Sequence, residues 1–274
     1  MPEPDADLQL WLPYQGTFVD MGFFKVDTCE LSGPPAVISI QARSADISDS
    51  LKQKRDVSYS ETTLKAILNT VAGRNKLTAR IATKIGATLI DHLDQTDESD
   101  LSFIARMGEL YDAVSSIKSN YLIFMPSGQA KTTSGASIEA INIDLNQCED
   151  YRYQKRKITY TGVKAFWNDS AYGKRTPEIV GSESNPFIIR GSFRSLDQAK
   201  NAATAKWAAL QREDIHVELS LDHGNPLIIT ESPLVLQEGF AAEMKALDLI
   251  TYRIVHNIDE SSGYKTSLEA EKRS

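Results

Sequence analysis

The stretch from residue 91 to residue 126 constrains the fold most, because it places three different local signals next to one another. Residues 95–100 form a polar run with three acidic side chains, which predicts a turn. Ser99 predicts the N-cap of a helix, because its hydroxyl oxygen can accept a hydrogen bond from a free N–H of the first helical turn. The apolar residues that follow recur at helical spacing and form one broad face: Phe103, Ile104, Met107, Leu110 and Tyr111.

A β-hairpin is predicted directly after this helix. Residues 113–118 and 121–125 are strand-like runs on either side of a Ser119-Asn120 turn. The helix and the hairpin each have an apolar face that needs a neighbour to cover it. The sequence therefore predicts a mixed α/β unit in the middle of the chain.

Composition is that of an ordinary globular protein and argues against several classes. The length of 274 residues predicts about two domains. No run approaches the roughly 18 uninterrupted apolar residues that a membrane-spanning helix requires, and the acidic N-terminus does not resemble a secretory signal. A formal net charge of −7 argues against nonspecific binding to nucleic acid, which needs a basic surface. Two distant cysteines, Cys29 and Cys148, favour buried thiols in a reducing cytoplasm over a disulfide framework.

Strand patterns dominate on both sides of the mixed unit. Short apolar or alternating runs separated by turn residues predict a β-rich chain, at residues 8–12, 17–26, 36–41, 77–81, 88–92, 141–145, 215–221, 227–230 and 234–236. Alternation at residues 250–254 and 264–270 predicts a closing hairpin. Residues 151–167 predict one long strand with a bulge at Gly162. Residues 129–137 and 170–186 predict exposed polar loops.

Two further helices are predicted. Ser60 is the expected cap of the first, with Gly73 as its end and an inward face made of Leu64, Ile67, Leu68 and Val71. Ser195 and Gln198 form the capping-box pattern of the second. Its inward face would carry Leu196, Ala199, Ala203, Trp207 and Leu210.

The acidic turn is the stretch that most resembles a catalytic or metal site. His92, Asp94, Asp97, Glu98 and Asp100 offer groups for acid–base catalysis or ligands for a cation. Carboxylates in this position also stabilise a helix N-terminus without any chemistry, and the glycine and glutamate of the EF-hand loop pattern are absent. The structural interpretation is therefore favoured.

Other chemistry has less support. His216, His223 and His256 lack a second histidine at metal-ligand spacing, and the sequence has no P-loop, G-x-G-x-x-G or G-x-S-x-G motif. Aromatic and basic side chains within residues 151–167 would suit stacking on single-stranded nucleic acid, but the net charge favours a sheet with its aromatic residues inside. The residues alone thus favour a cytoplasmic, β-rich, non-catalytic protein and leave its partner open.

Six runs carry a family resemblance: residues 37–50, 62–77, 95–106, 161–167, 199–210 and 256–271. Together, in this order and over nearly the whole chain, they resemble the late control D family, the tail or baseplate hub proteins of contractile-tailed phages. The Gln-x-x-Glu-Ser-Asp-x-x-Phe run at residues 95–103 is also similar to the hub region of the valine-glycine repeat spike proteins of type VI secretion.

The resemblance implies an α+β, β-rich fold with small β-barrels of the phage tail hub type and a mixed α/β insertion domain. Residues 1–47 would be the remainder of a first barrel, residues 48–137 the insertion domain, and residues 138–274 a second barrel with one packed helix. Family members carry more strands before the point that matches Leu8. We therefore expect an N-terminally incomplete first barrel, as in a fragment or a shortened relative.

The resemblance also implies a function. Three protomers would form a homotrimeric ring that joins the tail tube to the membrane-puncturing spike. The expected partners are further copies of the chain, tail tube proteins and the tail spike protein, with no nucleic acid, no membrane span, no cofactor, no metal and no catalytic residue. The expected location is the baseplate of a phage or prophage virion tail, assembled in the bacterial host cytoplasm.

Two alternatives differ from this hypothesis. One is the hub of a type VI secretion-like spike, and the other, with less support, is a cell-wall hydrolase acting through Asp97, Glu98 or Asp100. The candidate site residues are interface or structural residues from the most specific run: Gln95, Glu98, Ser99, Asp100 and Phe103. Among them, Ser99 is expected to cap the helix and Phe103 to lie in the core.

Overall fold

The computed structural model describes residues 1–44, 48–169 and 173–273. Strands outnumber helices over these ranges, and the architecture is α+β and β-rich. Within the described ranges, none of the helices combines the length and the apolarity that crossing a lipid bilayer requires.

The first three strands form an antiparallel sheet in the order β1-β2-β3, which we call the open sheet. Its strands are β1 (Asp7–Tyr14), β2 (Thr17–Ser32) and β3 (Val37–Ser44). Gln15 and Gly16 connect β1 to β2 with positive φ at both positions, the conformation of a two-residue hairpin turn that matches strand twist. The three strands predicted at the N-terminus are thus confirmed, and β2 extends six residues beyond its predicted end.

The middle of the chain forms what we call the mixed unit, residues 49–126. Its elements are α1 (Asp49–Lys52), β4 (Lys54–Thr63), α2 (Leu64–Arg74), β5 (Thr78–Ile81), α3 (Thr83–Gly86), β6 (Leu89–Ser99), α4 (Asp100–Tyr111), β7 (Ala113–Lys118) and β8 (Tyr121–Pro126). β4 and β6 pair as an antiparallel ribbon, and the second sheet has the order β5-β8-β7. Helices α2 and α4 bury their apolar faces between these two sheets, where Phe103, Met107, Leu122 and Phe124 are inaccessible to solvent.

Three predictions for the mixed unit were wrong in detail. Ser60 lies within β4, a strand that the sequence did not predict, and Thr63 caps α2 by accepting a hydrogen bond from the Ala66 N–H. Gly73 lies inside α2. Residues 95–100 do not form a turn. They are the end of β6 and the start of α4, and Asp97 has a positive φ within β6.

The hairpin prediction is confirmed. Ser119 and Asn120 both have positive φ and connect β7 to β8 in the predicted register. Asn tolerates this left-handed conformation because its short polar side chain bonds locally. Residues 129–137 form the predicted loop, although Ala130 within it is buried.

The C-terminal half contains two further sheets. Its elements are β9 (Ile141–Ile143), β10 (Cys148–Lys155), β11 (Gly162–Asp169), β12 (Lys174–Gly181), β13 (Pro186–Ile188), α5 (Leu196–Arg212), β14 (Ile215–Leu221), β15 (Pro233–Leu236), α6 (Ala242–Lys245), β16 (Leu249–Asp259) and β17 (Gly263–Lys272). The larger sheet has the order β10-β14-β17-β16-β15-β9, and we call it the C-terminal sheet. The smaller has the order β12-β11-β13.

Alternation correctly predicted the centre of the C-terminal sheet. Every second residue of β14 is buried, beginning with Ile215, and the closing hairpin β16–β17 buries Leu268 and Ala270 against it. A bulge between Thr251 and Arg253 breaks the predicted alternation of β16, so that Ile250 and Thr251 are both buried.

Other predictions for this half were wrong. Residues 151–167 are not one bulged strand: residues 151–155 belong to β10 and residues 162–167 to β11, which lies in a different sheet and begins at Gly162. Part of the predicted polar loop 170–186 forms β12, while residues 170–172 lie outside the described residues. Residues 227–230 form turns and irregular backbone, not a strand.

Helix α5 packs on β11 and β12 through small residues. Ser195 caps it by accepting a hydrogen bond from the Gln198 N–H, as predicted. Ala199 and Ala203 are fully buried against Val163 and Ala165, and Trp207 and Leu210 extend this contact. Leu196, predicted to face inward, is exposed. Small side chains on both surfaces allow the helix to lie close to the sheet.

We expect Ala203→Leu to destabilise the protein by about 1–3 kcal/mol, because the extra methylene groups have no space against β11. Thr204→Leu introduces the same side chain one residue further along, at an exposed position, and serves as the control. Urea unfolding followed by circular dichroism measures both changes. Equal midpoints for the two variants would contradict this description of the contact.

Candidate assembly interface

The open sheet exposes large apolar side chains on both faces. Consecutive strand residues point to opposite faces, yet Val37 and Ile38 are 50% and 53% exposed. Phe18 on β2 is 72% exposed, and Trp11 on β1 is about half exposed. Single exposed apolar residues are normal, but a cluster of this size on one small sheet is typical of an interaction surface.

Both edges of the open sheet are also open. β1 and β3 each pair only with β2 among the strands of the described residues. An edge strand presents unpaired N–H and C=O groups that can pair with another chain. A partner could therefore pair with the free backbone groups at the edges and cover the apolar side chains on the faces.

The open sheet connects to the remaining structure at a few points. Leu12 and Val26 are its buried apolar side chains among the described residues. Arg43 on β3 forms an ion pair with Asp27 and lies 3.7 Å from Asp49 at the start of the mixed unit. The β1–β2 turn lines a cavity of about 640 Å³ together with residues 223–224 and Tyr264 of the C-terminal half. Most of the surface of the open sheet is therefore solvated.

A buried carboxylate joins four elements of the mixed unit. Asp100, the first residue of α4, is inaccessible to solvent. Its oxygens lie 3.3 Å from Arg55 Nε of β4 and 3.1 Å from Arg74 Nη2 of α2. They also accept hydrogen bonds from Asn75 Nδ2 at 2.8 Å and Gln95 Nε2 at 2.9 Å. We call these five residues the Asp100 cluster.

The other candidate residues of this run also make internal contacts. Glu98 binds Arg106 through both carboxylate oxygens, with the shortest distance at 2.7 Å. Ser99 accepts a hydrogen bond from the Ser102 N–H at the N-cap of α4. Phe103 is buried, with its ring centroid 5.8 Å from that of Tyr59. The structure therefore gathers all five candidates around the start of α4.

Two strands of the ribbon place a Ser–His–Asp chain on its surface. Ser60 Oγ lies 2.9 Å from His92 Nδ1, and His92 Nε2 lies 2.9 Å from Asp94. The cross-strand register pairs Ser60 with His92 and Ser58 with Asp94, which explains the row of contacts. Hydrogen bonds from Ser58 and then His92 hold the pKa of Asp94 below its usual range. Asp97 forms an exposed ion pair with Lys54 at 2.9 Å.

The remaining histidines lie on the C-terminal half and do not converge. His216 contacts Glu218 at 2.7 Å, and His256 contacts Thr266 at 2.9 Å within the closing hairpin. Burial lowers the pKa of His256. Over residues 1–44, 48–169 and 173–273, no group of three or more His, Cys, Asp or Glu side chains has an arrangement that could hold a metal ion.

A second charged cluster, which no sequence pattern predicts, connects the mixed unit to the C-terminal sheet. Arg212, the last residue of α5, donates to Asp112 Oδ2 at 2.7 Å and to Glu271 Oε1 at 2.9 Å. Glu231 accepts a hydrogen bond from the Gly128 N–H at 3.0 Å. Arg212 is separated by 100 residues from Asp112 and by 59 from Glu271, so no local pattern brings these partners together. We call Asp112, Arg212, Glu231 and Glu271 the Arg212 joint.

Glu231 has the least favourable environment and backbone conformation in the Arg212 joint. It is buried and has a φ of 66°, a conformation that is rare for residues other than glycine. Burial raises its pKa to about 7, against the opposing influence of the Gly128 N–H and Arg212. Burial also raises the pKa of Glu271. Burial is the main cause of both shifts, and the like charges of neighbouring carboxylates add to it.

Comparison with known proteins decides the family. No family model matches the chain. The probable baseplate hub protein of Escherichia phage P2 is 30% identical, in an alignment that covers 98% of this chain and 83% of the relative. The chain belongs to the baseplate hub family of contractile-tailed phages.

Solved structures support the hub fold. A 43 kDa tail protein of prophage MuSo2 from Shewanella oneidensis has a TM-score of 0.66 at 15% identity, covering 99% of this chain and 83% of that one. An Escherichia coli component of the type VI secretion system has a TM-score of 0.55 at 9% identity, covering 96% and 63%. The resemblance seen in the sequence and the β-rich hub-type fold are therefore confirmed.

We expect Asp100→Ala to destabilise the hub protein by about 3–5 kcal/mol, because it leaves two partly buried arginines without their carboxylate. Asp97→Asn removes an exposed negative charge from the same run, at a positive φ that asparagine tolerates, and should cost less than about 1 kcal/mol. Denaturant unfolding of both variants measures the difference. Similar costs for the two would show that the Asp100 cluster does not hold the unit together.

Stability should fall as pH rises from about 5 to 8, and Glu231→Gln should weaken this dependence. The native state keeps a proton on Glu231 up to about pH 7, whereas the unfolded state loses it near the ordinary glutamate value. Deprotonation of Glu231 therefore lowers the free energy of unfolding by up to about 3 kcal/mol, since one pKa unit corresponds to about 1.4 kcal/mol. Glu260→Gln, at an exposed position, is the control. The free energy of unfolding is measured across this pH range for both variants. The same slope against pH in both would contradict a raised pKa of Glu231.

Proposed function

We propose that the protein acts as a homotrimeric baseplate hub, a ring that joins the tail tube to the membrane-puncturing spike of a contractile-tailed phage or prophage. The observation that carries this proposal is the open sheet, whose apolar faces and unpaired edges require partners. Family membership supplies the setting, because the relative from phage P2 is a probable baseplate hub protein.

A closed ring is the arrangement that uses both edges of every copy. Each protomer offers one free edge on β1 and another on β3, and two different surfaces generate a ring when the rotation closes. Apolar area on both faces of the sheet would add to the edge pairing. A stable interface buries about 800 Å² on each partner, which requires contributions from several exposed side chains.

The tail tube and spike proteins are the further partners in this proposal. A rigid ring can present different surfaces on its two sides, one toward the tube and the other toward the spike. The Asp100 cluster and the Arg212 joint give each protomer internal rigidity. The protein would be located in the virion tail and assembled in the host cytoplasm.

We infer a structural role without catalysis. The three carboxylates considered for a cell-wall hydrolase are all engaged: Asp100 with two arginines, Glu98 with Arg106 and Asp97 with Lys54. A general acid or nucleophile needs access to substrate. Asp100 has none, because it is fully buried.

A second candidate function is the hub of a type VI secretion-like spike. Fold similarity to the Escherichia coli secretion component favours it. That similarity concerns the fold alone, whereas the phage relative matches in sequence along nearly the whole chain. The phage or prophage hub is therefore the better-supported proposal.

The division into three domains is part of the same proposal. The open sheet corresponds to residues 1–47 as a first partial barrel, and the mixed unit lies within residues 48–137. The C-terminal and smaller sheets with α5 correspond to residues 138–274 as the second barrel and its packed helix.

We expect the purified protein to be a trimer by light scattering and Phe18→Ser/Ile38→Ser to shift it toward monomer. Each substitution removes a large exposed side chain from the open sheet, worth about 1–2 kcal/mol when buried in an interface. Six such losses per ring should raise the concentration for half-dissociation at least about a hundredfold.

Leu89→Ser/Ile188→Ser provides the matched control, because these side chains are 74% and 55% exposed and lie on other sheets. This variant should remain trimeric. A monomeric wild type at tens of micromolar that also fails to bind its cognate spike protein would contradict the proposal. So would equal dissociation of the two double variants.

A further inference from the structure

A cleft lies between the mixed unit and the segment that connects β13 to α5. It encloses about 400 Å³ and includes no residue of the open sheet. His92 and Asp94 of β6 and Arg106 of α4 contribute its polar side on the mixed unit. Arg190 and Arg194 contribute from the connecting segment. We call this feature the arginine cleft.

The arginine cleft carries more positive than negative charge, because three arginines and one carboxylate, Asp94, are among its lining residues. Arg190 and Arg194 are exposed, and neither forms an ion pair within 4 Å or a side-chain hydrogen bond with the residues that the structure describes, although Arg194 attracts the Asp94 carboxylate at longer range. Arg106 is different, because Glu98 and the Asp94 carbonyl hold its guanidinium in place. Helix α5 begins at Leu196, and the partial positive charge of its N-terminus is offset by Asp197 in its first turn. In a chain of net charge −7, this local excess is unusual.

The wall of the arginine cleft is apolar. Leu110 and Tyr111 from α4 face the cleft on one side, and Ile189 and Phe193 from the connecting segment line the other. These side chains are only partly buried. Ligand sites commonly combine such walls with a few polar groups that fix orientation. An occupant that covers the wall needs an apolar side chain of its own.

We propose that the arginine cleft docks a short acidic segment of a partner protein, in which carboxylates flank one aliphatic or aromatic side chain. The carboxylates pair with Arg190 and Arg194, for which the guanidinium fork is well matched. The apolar side chain fills the space between Leu110 and Phe193. Free phosphate would leave the apolar wall uncovered, and nucleic acid would be repelled by the net charge of the chain.

The test uses the full-length protein and a fluorescein-labelled, blocked pentapeptide with four glutamates around a central phenylalanine. Fluorescence anisotropy at low ionic strength should show saturable binding. Arg190→Glu/Arg194→Glu should weaken it at least about tenfold, because two attractive pairs become repulsive. A peptide with alanine at the centre should bind several-fold more weakly, and added salt should weaken both.

Arg152→Glu/Lys157→Glu is the matched control, because it changes net charge equally at two other exposed cations. It should alter affinity less than about twofold. Equal affinity of the two double variants, equal binding of the alanine peptide, or no binding by wild type would each overturn the inference. Displacement of the peptide by inorganic phosphate at matched ionic strength would identify a simple anion site instead. Loss of self-association in Arg190→Glu/Arg194→Glu would identify a second copy as the occupant.

Discussion

The packing of the mixed unit depends on a carboxylate that is buried as an ion-pair partner. Removing a charge from water costs several kcal/mol unless partners compensate for it. For Asp100 those partners come from β4, α2, the residue after α2, and β6. All of them reach Asp100 only when four elements are correctly placed. The cluster therefore adds a polar requirement on the placement of the helices and the ribbon to that of the apolar contacts.

Local pattern was sufficient wherever one face of an element is buried. Helix α4, the following hairpin and β14 were predicted because their apolar residues recur with a single period. β4 was missed because it is polar and short of apolar residues, and it forms a strand through pairing with β6. Residues 151–167 read as one strand, but β10 pairs with β14 while β11 pairs with β12 and β13. The division of this run between two sheets depends on tertiary strand pairing, which no local sequence pattern predicts.

The candidate site was predictable in its parts and not in its geometry. The run from Gln95 to Phe103 could be singled out by resemblance, but its buried partners Arg55 and Arg74 lie far away in sequence. The Arg212 joint gave no signal, since Asp112 and Glu271 are ordinary acidic residues until folding brings them to one guanidinium. The strands of the open sheet were predicted correctly. The sequence did not predict that both faces of this sheet are exposed, because burial depends on which other elements cover a sheet.

An exposed apolar sheet with free edges is also a hazard for a single copy in solution, since such edges pair indiscriminately. The open sheet counters this with charged side chains placed among the apolar ones. Lys25 of β2 pairs with Asp7 of β1 at 2.9 Å, and Arg43 of the edge strand β3 pairs with Asp27 of β2. A correct partner must match this charge pattern as well as the apolar surface, whereas an arbitrary strand would bury the charges without compensation. In the proposed ring, charge would thus restrict assembly while apolar area drives it, and both features lie within the same three strands.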